Sequence, residues 1–174
     1  MQEIKDKIRN IKDFPKEGIV FRDITTAIKD AETMKKIIDY FVEKFKDQKI
    51  DYVAGPESRG FIFGMPVAYQ LGCGFIPIRK PGKLPAETIS IEYDLEYGKD
   101  KIEMHKDAIE PGSRVLLMDD LLATGGTAAA CVDLINSVGK VVGAGFMIEL
   151  VGLGGMEKLP SDIQIETMVK FDEN

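Results

Sequence analysis

Apolar positions along the chain recur with two different periods, and the switches between them outline the elements. Over residues 32–47, Met34, Ile37, Ile38, Phe41, Val42 and Phe45 fall at helical spacing, which predicts an amphipathic helix with one buried stripe. Short apolar runs over 52–54, 75–78 and 115–118 predict buried strands, and 140–150 and 163–169 predict two more. A helix is expected from the turn at 55–60 to about Leu71. Another is expected over 126–138, stopped by Gly139 as its C-terminal cap. Residues 3–11 read as a short N-terminal helix, and the segment after it as a loop punctuated by Pro15 and Gly18. The middle is different. There Ile89, Ile91, Tyr93 and Leu95 alternate with polar residues, as do Ile102 and Met104, which predicts a hairpin with one dry face turning near Gly98.

Strands alternating with helices give an α/β class: an open, mostly parallel, twisted sheet with helices on both faces. The hairpin, at about 80–107, is an insertion over it, and 1–174 is expected to make one domain.

Composition alters this picture little. The chain has 174 residues, 44% of them hydrophobic and 30% charged, as in an ordinary soluble domain with a full core. With 23 basic against 29 acidic residues the net charge is −6. No basic block offsets it, so neither nucleic acid nor an anionic membrane is an expected partner. An anionic ligand would have to be met by local cations. The charge-free stretch between Arg59 and Arg79 is long enough to span a bilayer. It also holds Gly60, Gly64, Pro66, Gly72, Gly74 and Pro77, which fit a buried helix, turn and strand instead. Residues 1–12 are charged throughout and lack the apolar core of a secretion signal, so the expected compartment is the cytoplasm. Cys73 and Cys131 are too few for a disulfide framework and read as reduced, buried small hydrophobes.

The chemistry concentrates at 115–127, VLLMDDLLATGGT. Ligands of such folds bind beyond the carboxyl ends of the strands, and Asp119 and Asp120 are placed where the strand 115–118 ends. Ala123, Thr124, Gly125, Gly126 and Thr127 then open a helix. Small residues let the backbone close on a ligand, and the free N–H groups and dipole of a helix start favour phosphate. Two carboxylates beside a phosphate nest suit a ligand that also carries hydroxyls, as a ribose 5-phosphate does. The plainer alternative is that the acids cap the next segment and the glycines make a tight turn. Neither G-x-x-x-x-G-K-[ST] nor G-x-G-x-x-G occurs. Local cations appear at Arg59, in a turn after a strand, and at Lys80 and Lys83, flanking the hairpin; simple surface charge is the alternative for both lysines.

This motif resembles the 5-phosphoribosyl-1-pyrophosphate (PRPP) motif of type I phosphoribosyltransferases, in its adenine-specific form. The likeness continues in FPKEGIVFRDIT (14–25), GPESRGFIFG (55–64), RKPGKLP (79–85) and LEYGKDKIEMHKDAI (95–109). Glu17 and Thr26 depart from it, where many relatives have proline. The resemblance implies the type I phosphoribosyltransferase fold with a flexible hairpin, or hood. It implies displacement of pyrophosphate from PRPP by N9 of adenine to give AMP, in purine salvage, with Mg2+ held mainly by substrate and water and no dedicated protein metal cage. It assigns Glu57, Ser58 and Arg59, with a cis Glu57–Ser58 peptide, to the pyrophosphate loop, beside which the local cations Lys80 and Lys83 are expected to meet the leaving group. It assigns Phe21 to stacking on adenine and the backbones of Val20 and Arg22 to its edge; without it, Phe21 reads as core and Arg22–Asp23 as a surface pair. Ala123 stands where the hypoxanthine-guanine branch has an aspartate serving the purine, so Glu96 is implied for the proton, with Tyr97 helping to close the hairpin. A homodimer is implied as well.

His105 reads as a hairpin surface residue. The alternatives kept open are transfer to another purine such as xanthine, a non-catalytic PRPP-sensing regulator, and a structural flavodoxin-like domain. A regulator would need a DNA-binding module, whereas only a short helix precedes the domain and the net charge is negative.

Overall fold

The computed structural model describes residues 1–94 and 98–172. In chain order, α1 (Gln2–Asp6), β1 (Arg9–Lys12), β2 (Val20–Asp23), α2 (Thr25–Ile28) and α3 (Ala31–Phe45) lead to β3 (Tyr52–Pro56), α4 (Arg59–Leu71) and β4 (Gly74–Ile78). The hairpin strands β5 (Thr88–Asp94) and β6 (Lys99–His105) follow. Then come β7 (Arg114–Leu122), α5 (Gly126–Asn136), β8 (Lys140–Val151) and β9 (Gln164–Asp172).

Five of these strands form a parallel sheet in the order β4-β3-β7-β8-β9. The chain runs outward from β3 to β4, then returns to the other side of β3 as β7. The strand order therefore reverses between β3 and β7, where α/β sheets open a crevice. Helices α3 and α4 cover one face, with Ile37, Phe41, Phe45, Phe63 and Val67 fully buried among them. Helix α5 and the hairpin cover the other, around Leu117, Ile135 and Phe146. Asp30 caps α3 by accepting the Thr33 N–H at 2.9 Å.

The hairpin follows its alternation. Ile91 faces Ile102 and Ile89 faces Met104 across the ladder, and Ile102 and Met104 are buried in the α5-side core. A bridge between Arg79 and Glu103, with N–H···O contacts of 2.9 and 2.7 Å, ties β6 to the end of β4. The expected inward position of Leu95 lies outside the described residues.

Several boundaries differ from the sequence reading. The N-terminal helix stops at Asp6, because Arg9–Lys12 pairs antiparallel with Val20–Asp23 and Arg9 reaches Asp23 at 2.5 Å. Buried Ile4 and Ile8, four apart, had imitated a longer helix. The supposed loop thus contains β2, and α2 follows it directly. The strand expected at 115–118 runs on to Leu122, paired with β8 as far as Glu149, so both aspartates stand on the strand and not beyond it. Cys131 is buried and Cys73 only half-buried; both are free thiols. Among the described residues no helix is long and apolar enough to cross a membrane, and the charge-free stretch is α4 and β4.

Gly139 does not cap α5 in the left-handed conformation. Its role is space: a Cβ there would lie 2.9 Å from the Ser113 carbonyl oxygen and 3.0 Å from Ile109. Asparagine would be tolerated at a left-handed cap. Here Gly139→Asn is expected to destabilise the fold by about 1–3 kcal/mol, read as a lower urea midpoint; an unchanged midpoint would restore the capping role.

Candidate active site

Strand β3 pairs with β7 only from Tyr52–Val115 to Ala54–Leu117. Past that point β3 continues beside β4 alone, and β7 beside β8. The parting leaves a cavity of about 520 Å³. Pro56 to Arg59, with Arg79 and Lys80, contribute to its lining from the β3–β4 side, and Asp119 to Ala128 from the β7–α5 side. Glycines keep the two sides close beneath it. A Cβ on Gly55 would sit 2.8 Å from the Met118 carbonyl oxygen, and one on Gly60 would sit 3.0 Å from that oxygen and 3.2 Å from the Asp119 carboxylate.

Arg59 is the first residue of α4, and its Nε lies 2.6 Å from Asp120 Oδ2. The Asp120 N–H donates to Asp119 Oδ1 at 2.8 Å. Burial first, then the neighbouring Asp120 charge, pushes the Asp119 carboxyl well above the ordinary carboxylate range. Burial raises Asp120 as well, against the opposing pull of Arg59. The pair therefore holds a proton more readily than exposed acids do.

The loop beyond β7 turns at Gly125 (φ 77°), and among the described residues no side chain caps α5. The first-turn N–H groups of this helix are thus left to a ligand. The turn is backed by a second glycine-rich loop. A Cβ on Gly125 would lie 2.6 Å from the Gly155 carbonyl oxygen, and one on Gly155 would lie 2.2 Å from that of Ala123. The two loops meet backbone to backbone.

Lys80 forms an ion pair with Asp100 of β6. Asp100 also accepts the Tyr93 hydroxyl at 3.1 Å, and that hydroxyl lies 3.2 Å from Thr127 Oγ1. Burial tends to raise the Asp100 carboxyl, but Lys80, the Lys101 N–H and Tyr93 more than offset it and leave it lowered.

Of the residues singled out from sequence, Glu57, Ser58, Arg59, Lys80, Asp119, Asp120 and the five from Ala123 to Thr127 share the one cavity. The Glu57–Ser58 peptide is cis, as the resemblance implied. Lys83 is exposed, outside the lining. Val20, Phe21 and Arg22 also stand outside it, on β2. Phe21 packs edge-on against Phe14 with centroids 5.3 Å apart, and the Arg59 guanidinium lies 5.5 Å from its ring centre. The Arg22 side chain turns away, over Phe171 at 4.3 Å and onto Asn10 Oδ1 at 2.8 Å. Glu96 and Tyr97 lie outside the described residues. His105 is partly exposed and accepts the Ala86 N–H at 3.3 Å.

Sequence reasoning passed over Arg79, whose Nε holds Glu57 Oε2 at 2.5 Å, and likewise Tyr93, Asp100 and Gly155. Signals existed for two of them. Asp100 is a charge in the inward row of β6, and Gly155 belongs to a cluster with Gly152 and Gly154 just past β8.

Residues 25–149 match the model of the phosphoribosyl transferase domain. The chain belongs to the phosphoribosyltransferase family. It is 58% identical to the adenine phosphoribosyltransferase of Clostridium perfringens (strain SM101 / Type A) over 97% of this chain and 98% of that one. The adenine phosphoribosyltransferase structure from Thermoanaerobacter pseudethanolicus superposes with a TM-score of 0.94, at 51% identity over 98% of this chain and 99% of that one. The Trypanosoma brucei enzyme, solved with AMP, pyrophosphate and ribose-5-phosphate, gives a TM-score of 0.88 at 26% identity, covering 99% of this chain and 79% of that one. These similarities place the chain among the adenine phosphoribosyltransferases of that family.

An acid whose folded pKa is raised favours the fold while protonated and withdraws that contribution as pH climbs through the raised value. Asp119→Asn removes one buried charge beside another. It is expected to raise stability at neutral pH by about 1 kcal/mol and to flatten the loss of stability between the ordinary carboxylate range and neutrality. Urea unfolding across that range reads it; an unaltered pH slope would remove Asp119 as the source.

Proposed function

We propose that this cavity transfers the 5-phosphoribosyl group of PRPP to N9 of adenine, giving AMP and pyrophosphate, in cytoplasmic purine salvage by one domain spanning 1–174. The observation that carries the reading is the meeting of paired carboxylates, a helix start without a side-chain cap and three cations, Arg59, Arg79 and Lys80, around one cavity. The names of the relatives agree with it, and the ligands of the trypanosome enzyme are of the chemistry these parts suit.

Ribose hydroxyls meet the carboxyl oxygens of Asp119 and Asp120, and the 5-phosphate accepts from the N–H groups of 124–127 and from the Thr124 and Thr127 hydroxyls. The bond from C1′ to the pyrophosphate oxygen breaks, its electron pair leaving with pyrophosphate, while N9 donates a pair to C1′ and the purine gives up a proton. Positive charge builds on the sugar and negative charge on the leaving group. Arg59 and Lys80, joined by Lys83, offset the latter. Glu96 takes the role of proton partner and Tyr97 helps exclude water, both on the strength of the resemblance. Phe21 stacks on adenine, and the backbones of Val20 and Arg22 meet its N1 and N6.

Mg2+ fits this donor set as an ion that enters with substrate. The cavity is lined by three carboxylates, two of them already on arginines, Asp120 on Arg59 and Glu57 on Arg79, so substrate and water would supply most of the ion's ligands. When bound, the ion neutralises charge on the pyrophosphate. The active form is proposed to be a homodimer. Helix α4 exposes Met65 (57%) and Tyr69 (86%) one turn apart, an apolar pair suited to such a contact; sedimentation as a monomer would overturn it.

The test supplies PRPP and Mg2+ with adenine, hypoxanthine, guanine or xanthine and follows pyrophosphate release. Product from adenine alone is expected, and tight PRPP binding without turnover on any base would defeat the proposal. In the same assay Glu96→Gln is expected to cut turnover by roughly 10²–10⁴-fold and leave PRPP affinity within a few-fold. Equal loss of both would contradict the proton role.

A further inference from the structure

Alternation along β6 sets Asp100, Ile102 and Met104 on one side of the strand, where Ile102 and Met104 are buried. A carboxylate at the head of an apolar row needs partners. Among the described residues Asp100 has three: the Lys80 ammonium and the Tyr93 hydroxyl on Oδ2, and the Lys101 N–H at 2.8 Å on Oδ1. Tyr93 is the residue directly opposite in the hairpin register, and its hydroxyl also meets Thr127 of the phosphate loop. Lys80 and Thr127 line the same cavity. A cation that faces the pyrophosphate region is thus already neutralised by a carboxylate of its own chain.

We infer that Asp100 is a built-in counter-anion for Lys80, a positioning residue that holds the ammonium at the cavity wall and competes with pyrophosphate for it. The partnership is exchangeable. When pyrophosphate draws Lys80 away, Asp100 keeps the Tyr93 hydroxyl and the Lys101 N–H, so its half-buried carboxylate is not stranded. When pyrophosphate leaves, Asp100 takes Lys80 back. Pyrophosphate affinity is therefore held below what an unpaired lysine would give, which favours product release. This inference rests on the pyrophosphate reading of the cavity proposed above.

Calorimetric titration of pyrophosphate with magnesium chloride tests it. The proteins are the unaltered chain, Asp100→Asn, Tyr93→Phe, Lys80→Met and the Asp100→Asn/Lys80→Met double variant. Asp100→Asn is expected to tighten pyrophosphate roughly five- to tenfold. In the Lys80→Met background the same change is expected to have no effect. Tyr93→Phe, which leaves the ion pair in place, is expected to bind pyrophosphate as the unaltered chain does. Unchanged or weaker binding by Asp100→Asn overturns the inference. So does equal tightening without Lys80, which would mark a general charge effect, and so does tightening by Tyr93→Phe, which would mark hairpin anchoring. AMP synthesis from adenine and PRPP is followed alongside. An unaltered chain that makes AMP while Asp100→Asn binds pyrophosphate as before removes this inference alone; an unaltered chain inactive on every purine removes the reading beneath it.

Discussion

The 2.6 Å contact between Arg59 and Asp120 spans the crevice where β3 and β7 part, and the site is arranged around it. Two adjacent carboxylates taken out of water repel each other and lose hydration, a cost that one well-placed guanidinium partly offsets. Arg59 reaches that place only because α4 starts close against β7, an approach that Gly55 and Gly60 permit. A side chain at either position would lift the helix and withdraw the cation. The same guanidinium lies 5.5 Å from the ring centre of Phe21. The charged floor of the donor region thus ends on an aromatic ring of the N-terminal ribbon, joining two parts of the chain that share no sheet.

What the sequence revealed follows from which forces act locally. The central sheet was legible because each buried parallel strand is a short apolar run bounded by breakers, and the hairpin because its alternation sorts Ile102 and Met104 from their polar neighbours. The ribbon β1–β2 was hidden. Its burial is slight and its pairing joins residues such as Arg9 and Asp23, which no local period announces. Gly139 looked like a cap since it follows a helix, but its real constraint comes from Ser113, far away in sequence.

The candidate site divides along the same line. The run from Asp119 to Thr127 is contiguous, so its chemistry could be read as one motif, and Glu57 to Arg59 and Lys80 joined it in space. Arg79, Asp100, Tyr93 and Gly155 act through partners between about 20 and 34 residues away. Such pairings belong to tertiary structure and leave only indirect traces, such as a charge in a dry row or a cluster of glycines after a strand.

The packing of the hairpin carries a further consequence. Besides the Arg79–Glu103 bridge, the Lys80–Asp100 ion pair and the Tyr93–Thr127 contact, it is held by Ile102 and Met104 seated in the core that α5 shares. Swinging it away from the pocket would bring those two side chains into water, an opening of the kind that amide exchange resolves as a cooperative unit below global unfolding. For any such opening, the apolar contacts under the hairpin would add to the cost that the polar contacts set. A substitution at Met104, which is not part of the pocket lining, would lower that cost along with stability.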